Sequence, residues 1–277
     1  MEYADKPNVK FVTYGSDDYL KYISIAKYLI NNNTFPTYWT KKKGQVYINT
    51  WHGIPRKKLF FDIPDNEMNM GNTIRNFLSA DYIFSYDTLM TTAFLSGAKL
   101  ADLCGEKVLS IENPRRYLAL PKKKILDLLS EVTGLDYGND NQPIAIYAPT
   151  WRGTLSKPKK SIDVGVIRAL ERRGYRVLVK AHHVDYEVAA EYIPPSIETS
   201  TLFPICDLLV TDYSSVFYDW DKDKPVIFYT PDYEEYVQKQ GLYEDFPCAP
   251  ATNLIIFEQY LSHLDDYWEK VQYKVAT

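Results

Sequence analysis

The sequence predicts an α/β protein built from two Rossmann-like, doubly wound lobes. Short apolar segments alternate along the chain with longer amphipathic ones, which is the pattern of parallel strands covered by helices on both faces. The alternation stops in a polar, turn-rich stretch at residues 134–143 and then begins again. We therefore expect a first lobe over residues 1–116, a linker over 117–143 and a second lobe over 144–277.

Each element is predicted from the period of its apolar residues. The short apolar segments are predicted as strands: residues 9–14, 46–51, 82–85, 107–111, 144–148, 175–180, 207–211 and 226–229. The amphipathic segments are predicted as helices or helical turns: residues 16–31, 67–78, 88–95, 121–131, 162–173, 201–206, 215–221 and 254–271. Ser16 is placed to cap the first helix, because a serine oxygen accepts a hydrogen bond from the first turn. We expect the last segment to pack back on the first lobe.

Composition excludes several classes of function. The net charge is -4 and the pI is near 5.7, so a nucleic-acid partner is not indicated. The three cysteines, Cys104, Cys206 and Cys248, are far apart and suit a reducing, cytoplasmic compartment better than a disulfide framework. No run of about 18 apolar residues and no signal-type segment occurs, so no membrane span is predicted.

Two strand ends carry residues suited to an anionic substrate. His52 and Gly53 end one strand, where glycine lets the backbone approach a ligand and histidine is the natural base near neutral pH. Arg152 follows another strand and can fork onto a phosphate. A hydrogen-bonded turn histidine and a surface arginine are the alternatives.

A third strand ends in Lys180, His182 and His183. A cation and an imidazole there could stabilise a diphosphate and its leaving oxygen. Adjacent side chains on an extended chain point to opposite faces, so at most one of the two histidines is expected to face the cleft.

The fourth strand end runs through Thr211, Asp212, Ser214 and Ser215 into a predicted helix start. Helix N-termini bind phosphate through unpaired N–H groups and the helix dipole, and one serine can also serve as the cap. No Gly-rich nucleotide loop and no metal-ligand spacing accompanies these motifs, so ATPase, dehydrogenase and metal-dependent chemistry are not supported.

The combination of motifs resembles the CDP-glycerol glycerophosphotransferase family, the teichoic-acid primases and polymerases. The matching motifs are Trp51-His52-Gly53-x-Pro55, Ala148-Pro149-Thr150-Trp151-Arg152, Lys180-x-His182 and Thr211-Asp212-Tyr213-Ser214-Ser215. The resemblance implies a fold of the glycosyltransferase B type and transfer from CDP-glycerol, or CDP-ribitol, without a cofactor or metal ion. It implies a lipid-linked polymer acceptor and release of CMP.

Roles for single residues follow from the resemblance. His52 looks like the base that deprotonates the acceptor hydroxyl, and His182 like the group that stabilises the leaving diphosphate. The resemblance implies substrate binding at the other matched positions: Gly53, Arg152, Lys180, Thr211, Asp212, Ser214 and Ser215. The second lobe would bind the CDP donor and the first would face the acceptor.

The sequence also departs from the family and leaves alternatives open. Relatives usually have a further strand and helix before the position of Val9, which predicts an incomplete first lobe, and often have glycine where Phe60 stands. A nucleotide-sugar glycosyltransferase, with Asp219 holding the donor ribose, and an inactive nucleotide-binding fragment are the alternative functions. Residues 59–61, beside the basic residues 56–58, predict a peripheral contact with the inner membrane leaflet, with a buried loop as the alternative.

Overall fold

The chain divides into two compact units. The computed structural model describes residues 6–64, 70–117, 120–138, 141–154, 157–159, 161–180, 191–194 and 196–275. The first unit comprises Met1–His52 and Glu67–Ile111, and the second comprises Gly53–Asn66 and Glu112–Thr277. The chain therefore enters the second unit directly after His52, returns to the first, and leaves it after Ile111.

The first unit contains a parallel sheet of four strands. In order along the chain they are β1 (Tyr28–Asn31), β2 (Val46–Asn49), β3 (Tyr82–Ser85) and β4 (Val108–Ser110). Its helices are α1 (Asp17–Ile25), α2 (Gly71–Ser79), α3 (Thr88–Thr92), which continues into a π-helical turn, and α4 (Ala101–Cys104). Strand order in space is β1-β2-β3-β4, and every pairing is parallel.

Residues 9–31 differ from the prediction. Ser16 caps α1 as expected, since its Oγ accepts a hydrogen bond from the Tyr19 N–H at 3.2 Å. The helix ends at Ile25, however, and the next residues form β1, where Leu29 pairs with Tyr47. Residues 9–14 form no strand. Pairing with β2 buries Leu29 and so overrides the helical spacing that its neighbours have.

The second unit contains a parallel sheet of five strands and a short hairpin. The strands of the unit are β5 (Ile144–Ala148), β6 (Arg152–Thr154), β7 (Lys157–Lys159), β8 (Arg176–Val179), β9 (Glu191–Tyr192), β10 (Leu208–Thr211) and β11 (Val226–Phe228). The sheet order is β11-β10-β5-β8-β9, and β6 pairs antiparallel with β7. The helices are α5 (Lys122–Thr133), α6 (Val164–Arg172), α7 (Thr199–Leu202), α8 (Tyr233–Lys239), α9 (Leu254–Ser262) and α10 (Leu264–Val275).

Two interior strands of this sheet, β5 and β10, are buried along their whole length. A strand covered on both faces has no solvent side, so its sequence is a continuous apolar run rather than an alternation. These runs predicted both strands to within one residue. The two parallel sheets confirm the predicted α/β class.

The boundaries of the units differ from the predicted lobes. Residues 117–143 were expected to form a linker, but α5 lies within them, and its Ile125 and Leu129 are fully buried in the core of the second unit. Among the described residues of this stretch, the polar turns around Gly134 (φ 73°), where α5 ends, have linker character. The apolar stripe of α5 therefore assigns it to the second unit.

The C-terminal segment is two helices rather than one, because α9 ends at Ser262 and His263 caps it. Phe257, Leu261 and Tyr267 from these helices are buried in the core of the second unit, to which they belong. Across the described residues, no helix has both the length and the apolar character needed to cross a bilayer.

Candidate active site

The end of β2 holds His52 in an unusual turn. Trp51 has φ 50°, a left-handed conformation that is rare for a bulky residue, and Gly53 has φ 153°. The His52 ring is exposed and stacks on the Trp51 indole, with centroids 4.3 Å apart. The indole in turn packs on Phe77 and Phe94. The strained turn therefore presents an imidazole whose ring plane is fixed by aromatic packing.

One hydrogen bond sets the tautomer of His52. Its Nδ1 lies 2.9 Å from the backbone carbonyl oxygen of Asn32. A carbonyl oxygen can only accept, so Nδ1 carries the proton. In the neutral imidazole, Nε2 is then the basic nitrogen, which is the arrangement a general base requires.

Gly53 begins the second unit beside Ser215. A Cβ atom placed on Gly53 would lie 3.2 Å from the Ser215 Oγ, and φ 153° is itself unfavourable for any other residue. Glycine is therefore needed here both for its conformation and for the close approach of the backbone to the serine hydroxyl. Both belong to the second unit, whereas His52 belongs to the first.

Arg152 lies in an ion-pair network with two carboxylates. Its Nη2 is 2.8 Å from Asp212 Oδ2, and its Nε is 2.7 Å from Asp232 Oδ2. A further N–H group donates to the Thr150 carbonyl at 2.7 Å, and Nη2 also donates to Asp232 at 3.2 Å. Four of the five N–H groups of the guanidinium are thus engaged within the protein.

Asp212 joins the ends of β5 and β10. Its Oδ1 accepts hydrogen bonds from both the N–H and the hydroxyl of Thr150, at 2.8 and 2.6 Å. Beside it, the Thr211 hydroxyl donates to the Ala148 carbonyl at 2.8 Å. Both Thr211 and Asp212 are buried, so they connect two strand ends rather than face solvent.

Two tyrosines extend the network. The rings of Tyr213 and Tyr236 stack in parallel with centroids 3.7 Å apart, and the Arg152 guanidinium lies 5.1 and 4.9 Å from them. The Tyr213 hydroxyl donates to Asp232 at 3.1 Å. The stack and the ion pairs together hold Arg152 in one orientation. A direct role of Arg152 at phosphate stays a prediction, while its contacts support a positioning role.

Lys180 also has intramolecular partners. Its Nζ donates to the carbonyl oxygens of Pro194 and Ile197, at 2.7 and 2.5 Å. Burial lowers the pKa of Lys180, and the nearby Glu198 opposes that shift. The ammonium fixes the loop after β9 and keeps one donor beyond these two contacts.

The predicted helix start after β10 is a five-residue 3₁₀ turn, Ser215–Asp219. Ser214 caps it, with its Oγ accepting from the Val216 N–H at 3.4 Å. Few peptide dipoles align in so short a turn, so the expected contribution of a helix dipole is largely lost. The serine hydroxyls and the Gly53 backbone remain as the polar groups of this stretch.

Asp219, the candidate ribose ligand of the alternative glycosyltransferase function, has other partners. Its Oδ1 accepts from Asn113 Nδ2 at 2.9 Å, and its Oδ2 pairs with Arg115 Nη1 at 2.6 Å. Both carboxylate oxygens of Asp219 are therefore engaged by Asn113 and Arg115, which lie just after the chain re-enters the second unit at Glu112.

The predicted site residue His182 and its neighbour His183 lie outside the described residues. The role inferred for His182 stays a prediction. In the part of the chain that the structure describes, no cluster of three or more His, Cys, Asp or Glu side chains could hold a metal ion.

The predicted membrane-contact surface is wrong in part. Arg56 is fully buried and Phe60 is only 4% exposed, so neither can enter a lipid leaflet. Phe61 alone of the two phenylalanines is exposed, at 48%. The reason is that the described residues of this segment, 53–64, belong to the second unit.

Sequence reasoning missed Asp232, Tyr236 and the assignment of residues 53–66 to the second unit. Asp232 follows β11 without any motif, and its link to Arg152 spans 80 positions of sequence. The signal that could have found it is its place after a strand, at the edge of the sheet where parallel strands carry ligand-binding residues.

The Arg152 network predicts loss of stability in acid. Burial acts to raise the pKa of Asp232, but the hydrogen bond and charge of Arg152 outweigh it and hold the pKa below its usual value. Stability from this pair is therefore complete above about pH 4 and is lost as pH falls through the lowered pKa. At neutral pH the unaltered chain should have a higher unfolding midpoint than Asp232→Asn. We expect this difference between the two midpoints to disappear below that pH. The exposed Asp245→Asn is the control, and a difference that persists unchanged into acid would contradict the prediction.

Known proteins match nearly the whole chain. The sequence model described as CDP-Glycerol:Poly(glycerophosphate) glycerophosphotransferase matches residues 2–275. A teichoic acid poly(glycerol phosphate) polymerase of Bacillus spizizenii is 30% identical over 275 residues, covering 89% of this chain and 68% of the relative. A polymerase of the same description from Staphylococcus epidermidis is 30% identical, and the match covers 94% of this chain but only 39% of that longer relative.

A solved structure agrees. The wall teichoic acid polymerase TagF has a TM-score of 0.76 and 26% identity, with 96% of this chain and 70% of that chain covered. A TagF variant soaked with CDPG gives the same TM-score at 25% identity. The match confirms the predicted fold class, an α/β protein of the glycosyltransferase B type. With its motifs matched along almost the full sequence, the chain belongs to the CDP-glycerol:poly(glycerophosphate) glycerophosphotransferase family.

Proposed function

We propose that this chain transfers glycerol phosphate from CDP-glycerol to the hydroxyl group of a lipid-linked, teichoic-acid-type acceptor and releases CMP. The observation that carries the proposal is the family match over residues 2–275. The similarity to TagF over 96% of the chain adds to it. We place the reaction at the cytoplasmic face of the membrane, where a lipid-linked acceptor would be presented.

In the proposed reaction the acceptor oxygen attacks the phosphorus that carries the glycerol. A new P–O bond forms, and the bond between that phosphorus and the bridging oxygen breaks. CMP leaves with the electron pair, and the acceptor proton passes to Nε2 of His52. The Asn32 carbonyl holds the proton on Nδ1, so Nε2 is the nitrogen available to take it.

The remaining residues bind or position the donor in this proposal. His182 stabilises the negative charge that develops on the leaving CMP. Ser215 and the Gly53 backbone offer polar groups at one point of the second unit. Arg152 acts indirectly in this proposal. Its ion pairs with Asp212 and Asp232 fix the positions of the residues that follow β10 and β11.

A thermal-shift titration with CDP, CDP-glycerol, CDP-ribitol and UDP tests the proposal. A ligand that binds only the folded state stabilises it by about 2.7 kcal/mol at one hundred times its Kd. We expect the CDP ligands to raise the Tm and UDP to leave it nearly unchanged. Release of CMP from CDP-glycerol with a polyol-phosphate acceptor is the matching activity assay.

The alternative functions give different results. A shift with UDP that exceeds the shift with CDP would favour a nucleotide-sugar glycosyltransferase. Binding of CDP without CMP release from any polyol donor would identify a nucleotide-binding protein that lacks the transferase activity.

A further inference from the structure

The hydrogen bond that sets the tautomer of His52 joins the two loops that follow β1 and β2. In the register of the sheet Asn31 pairs with Asn49, and the Thr50 N–H donates to the Asn31 carbonyl at 3.0 Å. Both strands end at this pair. The contact between His52 and Asn32 lies just beyond it, so side chains must help to hold the two loops together.

The Asn49 side chain connects these two loops. Its Nδ2 donates to the Asn33 carbonyl at 2.9 Å, and its Oδ1 accepts from the Trp51 N–H at 2.9 Å. A backbone carbonyl can only accept and a backbone N–H can only donate, so the orientation of the amide is determined. Asn33 directly follows Asn32, which supplies the carbonyl for Nδ1. Trp51 directly precedes His52. The amide therefore links the chain neighbours of both partners in the tautomer-setting hydrogen bond.

Asn49 is fully buried and is itself fixed by further polar groups. Its Nδ2 also donates to the Tyr47 hydroxyl at 2.8 Å. Burial raises the pKa of Tyr47 to about 12, so the hydroxyl keeps its proton at neutral pH. The hydroxyl donates that proton to Asn76 Oδ1 at 3.3 Å, and the same Oδ1 accepts from the Phe35 N–H at 2.8 Å. Both amide donors and the acceptor of Asn49 are thus engaged in the first unit, which leaves the side chain one orientation.

The contact with Trp51 bears on the strained turn that carries the imidazole. Trp51 has φ 50°, a conformation that persists in a bulky residue only where its surroundings hold it. Asn49 accepts from the N–H of the peptide that joins Thr50 to Trp51, and the Tyr86 hydroxyl donates to the carbonyl of the same peptide at 2.8 Å. Both polar atoms of one peptide group are therefore held by side chains, directly before His52.

We propose that Asn49 is the positioning residue of the general base. It holds the Asn32 carbonyl against Nδ1 of His52 and so keeps Nε2 as the nitrogen that takes the acceptor proton. Because its side chain is fully buried, Asn49 acts through these neighbours and does not touch the substrate. The catalytic part of the assignment rests on the proposed function, whereas the tautomer of His52 can be measured without turnover.

Asn49→Leu keeps the branched shape of the side chain and removes its three hydrogen bonds. We expect kcat for CMP release to fall about 10- to 100-fold, as when a reacting group is misplaced. The Kd for CDP should stay within about twofold of the unaltered value, because a fully buried side chain of the first unit does not contact the donor. Asn49→Thr is smaller and suits a strand, and it should lose kcat in the same way if the leucine variant does not fold.

Gln45 offers a matched control, because it lies just before β2, at the opposite end from Asn49. Its amide also makes three hydrogen bonds to backbone groups of the first unit. Nε2 donates to the Ile23 and Ala26 carbonyls at 3.0 and 2.8 Å, and Oε1 accepts from the Lys42 N–H at 2.9 Å. None of these partners adjoins the catalytic turn in sequence. Gln45→Met should therefore lower the Tm but keep the kcat of the unaltered chain.

Nitrogen-15 NMR of the histidine rings measures the tautomer directly. In the unaltered chain the neutral His52 ring should carry its proton on Nδ1, and the signal is assigned by its absence from His52→Ala. In both Asn49 variants the Nε2–H tautomer should appear, because a displaced carbonyl no longer selects against it. Gln45→Met should keep the His52 signals of the unaltered chain.

Two results would overturn the assignment. The first is an unchanged kcat or an unchanged His52 tautomer in the Asn49 variants. The second is an equal loss of kcat in Gln45→Met, since destabilisation of the first unit would then explain the loss. If the unaltered chain releases no CMP, the proposed function fails, and the tautomer alone decides whether Asn49 positions His52.

Discussion

Replacing His52 with alanine is expected to lower kcat for CMP release by about 10²- to 10⁴-fold, the usual contribution of a general base. The Nδ1 contact with the Asn32 carbonyl leaves Nε2 as the basic nitrogen, and alanine removes it. His52 is exposed, so the substitution opens no cavity in the core and the Tm should change little. The loss should appear in kcat, because the base acts on the acceptor proton in the transition state.

Donor binding separates a catalytic role of His52 from a structural one. In the proposed mechanism His52 contacts the acceptor, so the Kd for CDP should stay within about twofold of the unaltered value. His263→Ala is the matched control, since this histidine is also exposed but lies at the end of α9. Turnover by His52→Ala at the rate of His263→Ala would exclude His52 as the base.

Periodicity predicted the buried strands well and the edge of the first sheet poorly. Strand β5 is apolar at every position because both faces are covered, and its predicted and observed bounds agree. Strand β1 is exposed at Tyr28 and Ile30, and its residues also fit the helical spacing that precedes them. Whether these residues form a strand or a helix is decided by the pairing of Leu29 with Tyr47. This contact joins residues that are distant in sequence, so the local pattern does not reveal it.

Phe60 is a case where periodicity was not informative. The residue has φ 57°, a conformation that favours glycine. The phenylalanine ring is only 4% exposed. Burial of the ring offsets the unfavourable backbone, a balance that no local pattern reveals.

The sequence predicted individual residues of the candidate site, but it did not predict the ion pairs between them. The strand ends containing Arg152 and Asp212 follow from the alternation of strands and helices. Their mutual ion pair, and the addition of Asp232 from beyond β11, depend on the sheet order in which β10 lies between β5 and β11. Sequence alone therefore predicted Arg152 as a site residue but not the ion-pair network in which it lies.

Arg152→Met is expected to lower the free energy of unfolding by about 3–5 kcal/mol, the range for removal of one partner of a buried ion pair. Asp212 is 2% exposed and would keep a charge without its counter-ion. Arg172→Met is the matched control, because Arg172 pairs with Glu258 on the surface, where both side chains are well exposed. That pair should contribute no more than about 1 kcal/mol. Equal midpoints for the two variants in urea unfolding would contradict the prediction.

Arg152→Lys separates positioning from direct binding of phosphate. A lysine keeps the charge but lacks the planar fork that bonds Asp212 and Asp232 at once and lies against the stacked tyrosines. If Arg152 acts by positioning, Arg152→Lys should lose both stability and affinity for CDP. If it bound phosphate directly, stability would fall while the retained charge preserved most of the affinity. The network of four engaged N–H groups leads us to expect the joint loss, because the strand ends that Arg152 holds in register carry Thr150 and Asp212.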